Sequence, residues 1–216
     1  MDKPFTSMKS ILEYLQLIKE FYWKQAPFYQ ELTFAPMTLV EVLEFEKELG
    51  FSLEQELKDF LTHCDFRIDF EGNYSYESPK TTLDGWSMNA ELIEEGIFKD
   101  TVAFKEQHGF TNWEDGYLAR EYCSRSWVPF GIDGGGNQLL VDHNPGRAGK
   151  RGQLVYMEFQ DGQGPGYYFD NLTALLALTY QQLLHHQWEF WEYGAEGNLL
   201  IEIDEDIPPS NHQTDY

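Results

Sequence analysis

Residues 127–155 read WVPFGIDGGGNQLLVDHNPGRAGKRGQLV, with three consecutive glycines, Gly134, Gly135 and Gly136, near the middle. How those glycines are used decides the fold. They can cradle a phosphate, or they can turn the chain into a strand. A dinucleotide fingerprint GxGxxG or a phosphate loop GxxxxGK[ST] needs glycines that follow a strand and open a helix, where an anion meets the helix N-terminus. DGGGNQLL fits neither pattern, and it precedes a short apolar run at 138–141 that reads as a strand. The glycines are therefore assigned to backbone freedom: a turn with positive φ, or close passage of another segment.

Downstream, Asn144-Pro145-Gly146 places Pro and Gly where a type II turn wants them. Residues 153–160 read as a second strand and 166–169 as a third, after the Gly-rich connector 162–166. Asp170 or Asn171 can cap a long closing helix through Leu172, Leu175, Leu176, Thr179 and Leu183, running past Trp188 and Trp191. From Glu202 the chain is acidic, contains Pro208-Pro209, and is expected to be loosely held.

Upstream, helical spacing over 10–24 (Ile11, Tyr14, Leu15, Ile18, Phe21, Tyr22) predicts an amphipathic helix that Pro27 ends. Thr38-Leu39-Val40-Glu41 has capping-box form, followed by Val42, Phe45 and Leu49 until Gly50. Ser52-Leu53-Glu54-Gln55 repeats the form before Leu57, Phe60 and Leu61. Glu44, Glu46, Glu48, Glu54 and Asp59 then fall largely on solvent faces. Residues 66–70 alternate strictly and Tyr74 and Tyr76 resume the alternation, which predicts a hairpin or bent strand. Short helices are expected around 89–95 and 116–126. Helices, then consecutive short strands, then a closing helix make an α+β domain with a mainly antiparallel central sheet and helices packed against it.

The chain has 216 residues, 42% of them apolar and 16% aromatic, enough for one sizeable core. No apolar run approaches the length of a membrane span, and MDKPFTSMKSILEYLQ lacks the apolar stretch and cleavage site of a signal peptide. Cys64 and Cys123 have no CxxC spacing and are expected as buried thiols, so the expectation is a cytoplasmic protein. Thirty-seven acidic against 15 basic residues give a formal net charge of −22. Such a surface repels nucleic acid and anionic membranes; it serves solubility, or it steers in a basic protein partner.

Catalytic constellations are sparse. Ser124 and Ser126 lack a G-x-S-x-G elbow. Asp142-His143 with His185-His186 has no metal-ligand spacing, and Asp133 and Asp142 are more simply read as turn formers than as an acid–base pair. Trp86 and the stretch Trp113, Glu114, Asp115, Gly116, Tyr117 are loop aromatics that serve as interface anchors if exposed and core plugs if not.

Taken in order, Trp127, Pro129, Phe130, Asp133, Gly135, Gly136, Asp142, Pro145, Gly149, Gly152, Gln153 and Val155 resemble the motif of the SMI1/KNR4 family, the group at the centre of the SUKH superfamily. The paired helices over 38–61 are similar to its front half and Phe169-Asp170 to its end. Glu54 stands where the family commonly has Pro. The resemblance implies a helical extension at 1–36, an SMI1/KNR4-like domain at 37–197 and an acidic tail at 198–216. It further implies a non-catalytic binding module without cofactor or metal, in which the motif residues are mainly scaffold. Fungal members are similar to regulators of cell-wall glucan synthesis. Many bacterial members look like immunity proteins that neutralise toxins, often nucleases. The expectation is an immunity protein occluding a basic toxin, with Trp86, Trp113, Glu114 and Asp115 as contacts. The regulator, and an enzyme acting on a small polar substrate, are the alternatives.

Overall fold

The structure, a computed structural model, describes residues 9–101, 116–159, 164–185, 188–193 and 196–201. The first helix, α1 (Ile11–Gln25), starts at a reciprocal cap: Ser10 Oγ accepts the Glu13 N–H, and Glu13 accepts the Ser10 N–H at 2.7 Å. Ile11, Leu15, Ile18 and Tyr22 form its buried stripe. Pro27 opens a 3₁₀ turn (Pro27–Glu31), which brings Tyr29 flat against Tyr22 with ring centroids 4.2 Å apart.

Helix α2 (Leu39–Leu49) carries the predicted capping box between Thr38 and Glu41, and it ends where Gly50 turns left-handed at φ 78°. Helix α3 (Gln55–His63) lacks the second predicted box. Its N-cap is Glu54, and no side chain caps it. The N–H groups ahead of it go to distant acceptors instead: Leu53 N–H to Glu46 at 2.7 Å and Glu54 N–H to His143 at 3.2 Å.

Six strands follow in meander order, each antiparallel to the next: β1 (Ile68–Asp69), β2 (Ser75–Tyr76), β3 (Trp127–Ile132), β4 (Gln138–Asp142), β5 (Leu154–Met157) and β6 (Gly166–Phe169). The architecture is thus α+β, as the sequence pattern predicts. Helix α4 (Pro79–Glu94) sits between β2 and β3 in the chain and packs along β3. It replaces the short helix expected at 89–95, and residues 116–126 are irregular rather than helical.

Helix α5 (Leu172–His185) starts at Asn171, whose Oδ1 accepts the Ala174 N–H at 2.8 Å, and packs against α1 and α3. It ends at His185 rather than running past Trp188 and Trp191. Residues past it form a separate antiparallel pair, β7 (Trp188–Tyr193) and β8 (Glu196–Ile201), because six residues rich in Trp, Phe and Tyr favour a pleated strand over further helix. Residues 198–201 of the expected tail therefore belong to a strand, and 202–216 lie outside the described residues.

Both faces of the main sheet are covered. Val128, Phe130, Leu139, Val141 and Leu154 join the core under α1, α3 and α5, while Trp127, Leu140, Val155 and Met157 join a second cluster with Leu118, Tyr122 and Cys123. This explains why β4 is a continuous apolar run rather than an alternating one. Cys64 and Cys123 are free and buried. No helix among the described residues is long and apolar enough to cross a membrane.

Candidate functional site

The glycine segment is the hairpin turn between β3 and β4. Asp133 Oδ1 accepts the N–H groups of Gly135 and Asn137, both at 2.8 Å, and Asp133 Oδ2 accepts from Asn137 Nδ2 at 2.8 Å. Gly136 takes φ 86°, the left-handed conformation that favours glycine. No helix starts here, so the turn offers no N-terminal anion site. The Asn137 side-chain Oδ1 also accepts the Phe159 N–H at 2.9 Å, which ties the turn to the chain beyond β5.

The other end of the hairpin is a buried polar knot. Asp142, with no solvent exposure, accepts from Asn144 N–H at 2.9 Å and from Gln153 Nε2 at 3.0 Å. Burial pushes its carboxyl up to about 6, against the pull of those donors. His143 is buried beside it and accepts the Glu54 N–H on Nε2. The ring therefore carries its proton on Nδ1, which faces the carbonyls of Val141 at 3.1 Å and Ser126 at 3.2 Å. Burial pulls it down to about 4, so it is neutral at physiological pH. Arg151 pairs with Glu54 at 2.6 Å, and Lys58 with Glu46 at 2.7 Å. The β4–β5 loop is thereby docked onto the α2–α3 elbow.

Gly146 differs from its predicted role. It is not at positive φ, so the type II turn is not formed. A Cβ there would lie 2.3 Å from the Gly116 carbonyl oxygen and 2.4 Å from that of Leu118. Close approach, not turn conformation, demands the glycine. Gly149 sits under the same constraint, its Cβ position 2.3 Å from the Tyr117 carbonyl oxygen.

Of the motif residues, Trp127, Pro129, Phe130, Asp142, Gln153 and Val155 are buried, Asp133, Gly136, Pro145, Gly149 and Gly152 partly so, and Gly135 is exposed. Asp133 and Asp142 mark opposite ends of the β3–β4 hairpin, since Trp127 pairs with Asp142 and Ile132 with Gln138. They do not form a pair of facing carboxylates. Trp86 is a correction: it is 5% exposed, stands edge-on to Phe45 at 5.8 Å, and donates its indole N–H to the Arg125 carbonyl at 2.9 Å. It plugs the core and presents nothing to a partner. Trp113, Glu114 and Asp115 lie outside the described residues.

No group of three or more His, Cys, Asp or Glu among the described residues is placed to hold a metal. A shallow cavity of about 260 Å³ lies between α1 and the end of α3, but its cation is taken. Lys19 meets both oxygens of Asp65 at 2.7 Å and lies over the rings of Trp23 and Phe66. What sequence reasoning passed over is the outside of α2, where Leu39, Val40 and Leu43 face solvent. The signal is present in LVEVLEFEKEL, which has more apolar positions than one buried stripe needs.

The family model described as SMI1 / KNR4 family (SUKH-1) matches residues 36–178, from just ahead of α2 to within α5. No curated protein matches the chain.

Proposed function

The chain belongs to the SMI1/KNR4 family (SUKH-1), and from that premise we propose that it is a non-catalytic binding module: an immunity protein that neutralises a basic, nuclease-type toxin by occluding it. The observation that carries this reading is charge, 37 acidic side chains against 15 basic. A nuclease engages phosphates through Lys and Arg and so presents a basic face. A chain at −22 is repelled by the nucleic acid and attracted by the enzyme that cuts it. Complementary fields raise the rate of encounter and reject wrong partners.

Occlusion requires no reacting group, which accords with the commitments of the polar side chains in the motif. Asp133 is saturated by its own turn, Asp142 is buried in the loop knot, and His143 spans two segments as a neutral strut. The module would act in the cytoplasm, where a nuclease meets its substrate. The test is co-expression with a panel of basic nuclease toxins, any toxin encoded beside this chain among them. Growth is expected to be restored when the chain is present. A folded, soluble chain that gives no protection would sink the reading and favour an intracellular regulator instead.

A further inference from the structure

We propose that the basic partner docks on the outward crest of α2, with Leu39, Val40 and Leu43 as its apolar anchor and Glu44 and Glu48 as its acidic edge. The proposal rests on the binding reading above and adds the surface to it. A helix seated on one core needs one apolar stripe, and Val42, Phe45 and half-buried Leu49 supply that stripe for α2. Leu39 and Leu43 are one turn apart, and Val40 stands three positions before Leu43, so all three share one exposed side outside that stripe, with exposed Lys47 one turn beyond Leu43. They are 72%, 62% and 55% exposed. Glu44 and Glu48, also one turn apart and exposed, run along one edge of that crest; among the described residues neither is paired with a cation. An apolar centre with a charged rim is the anatomy of a protein interface.

Charge selects the occupant. A second copy would bring another −22 to the same place and be repelled. The chain's own residues 202–216 carry five carboxylates and no Lys or Arg, so they too match the acidic edge poorly. A protein with an apolar knob flanked by Lys and Arg fits both parts. The helix is fixed beforehand by its capping box and by Gly50, so docking need not order it.

The experiment measures binding of the purified nuclease toxin that the co-expression test identifies to the full-length protein and three variants. All substituted side chains are exposed, so the thermal midpoint should hold and serves as the control for folding. Val40→Asp with Leu43→Asp is expected to weaken binding by about 100-fold or more, because it puts charge in the anchor. Glu44→Lys with Glu48→Lys is expected to slow association by about tenfold at low salt, with the difference vanishing at high salt. Leu184→Asp, an exposed apolar position on α5, should change nothing. Wild-type affinity in the Val40/Leu43 variant, alongside toxin binding by the parent, overturns the docking face and leaves the immunity role standing. A free protein that sediments as a dimer dissolved by the same substitutions also overturns it, since the occupant would then be a second copy. A parent chain that neither binds nor neutralises removes the functional reading and this face with it.

Discussion

A neutral imidazole at position 143 joins the end of β4 to the start of α3 by accepting one backbone N–H and donating toward two carbonyls. Because its pKa falls from 6.5 to about 4 on folding, the folded state binds fewer protons than the unfolded chain between those values. The stability His143 contributes is therefore full above about pH 6.5 and lost as pH falls toward 4. Denaturant titrations of His143→Gln should show a deficit of about 1–3 kcal/mol at pH 7, shrinking toward pH 4; a deficit independent of pH would contradict the buried neutral ring. Asp142 works with the opposite sign, since its raised pKa favours the folded state at low pH. The glycines separate by a second test. Gly134→Ala has open space and ordinary φ and should be tolerated, Gly136→Ala at φ 86° should lose about 1 kcal/mol, and Gly146→Ala should disrupt the loop against two carbonyls. The turn at Asp133 is legible in the chain because its hydrogen bonds are local. Gly146 is misread as a turn glycine because its constraint comes from residues 116 and 118, some thirty positions away in sequence.

Helix boundaries follow the same division between local and distant causes. The capping box of α2 is written in adjacent residues and forms as the pattern predicts, and α1 opens on an equally local box, Ser10 with Glu13, that its apolar spacing did not point to. Thr38→Ala should destabilise by about 1 kcal/mol in thermal melts, whereas Ser52→Ala should have little effect, because no cap forms there. Helix α4 is longer than its apolar spacing suggests, since Gly85 interrupts the pattern and its buried face includes Thr82 and Asn89. Its start was available in the sequence: Ser78 caps it and Pro79 occupies the first position. The 3₁₀ turn is tied to the sheet by the Tyr29 hydroxyl, which donates to Asp69, itself paired with Arg67 at 2.9 Å. Tyr29→Phe removes one donor from that carboxylate and should lower stability by about 1–2 kcal/mol in urea titrations.

At the scale of the molecule, α1 precedes the matched segment yet shares its core, packing against α3 and α5. Ile11, Leu15, Ile18 and Tyr22 each contribute roughly 1.5–3 kcal/mol on burial, together comparable to the whole stability of an ordinary domain at about 5–15 kcal/mol. Removing residues 1–26 should therefore abolish cooperative unfolding, as read by calorimetry. The order of motif elements made the α+β class and the β3–β6 run legible, because turns this short allow only antiparallel neighbours, whereas β2 meets β3 across some fifty intervening residues that carry no local signal for the pairing. The exposed crest of α2 was harder to see, since solvent-facing leucines differ from buried ones only by the packing around them. A module that works by contact is consumed one for one, whereas an enzyme is not. Titrating a fixed amount of the toxin it neutralises with this chain separates the two. Toxin activity should fall linearly and reach zero at one equivalent; complete inactivation by a small fraction of an equivalent would contradict it.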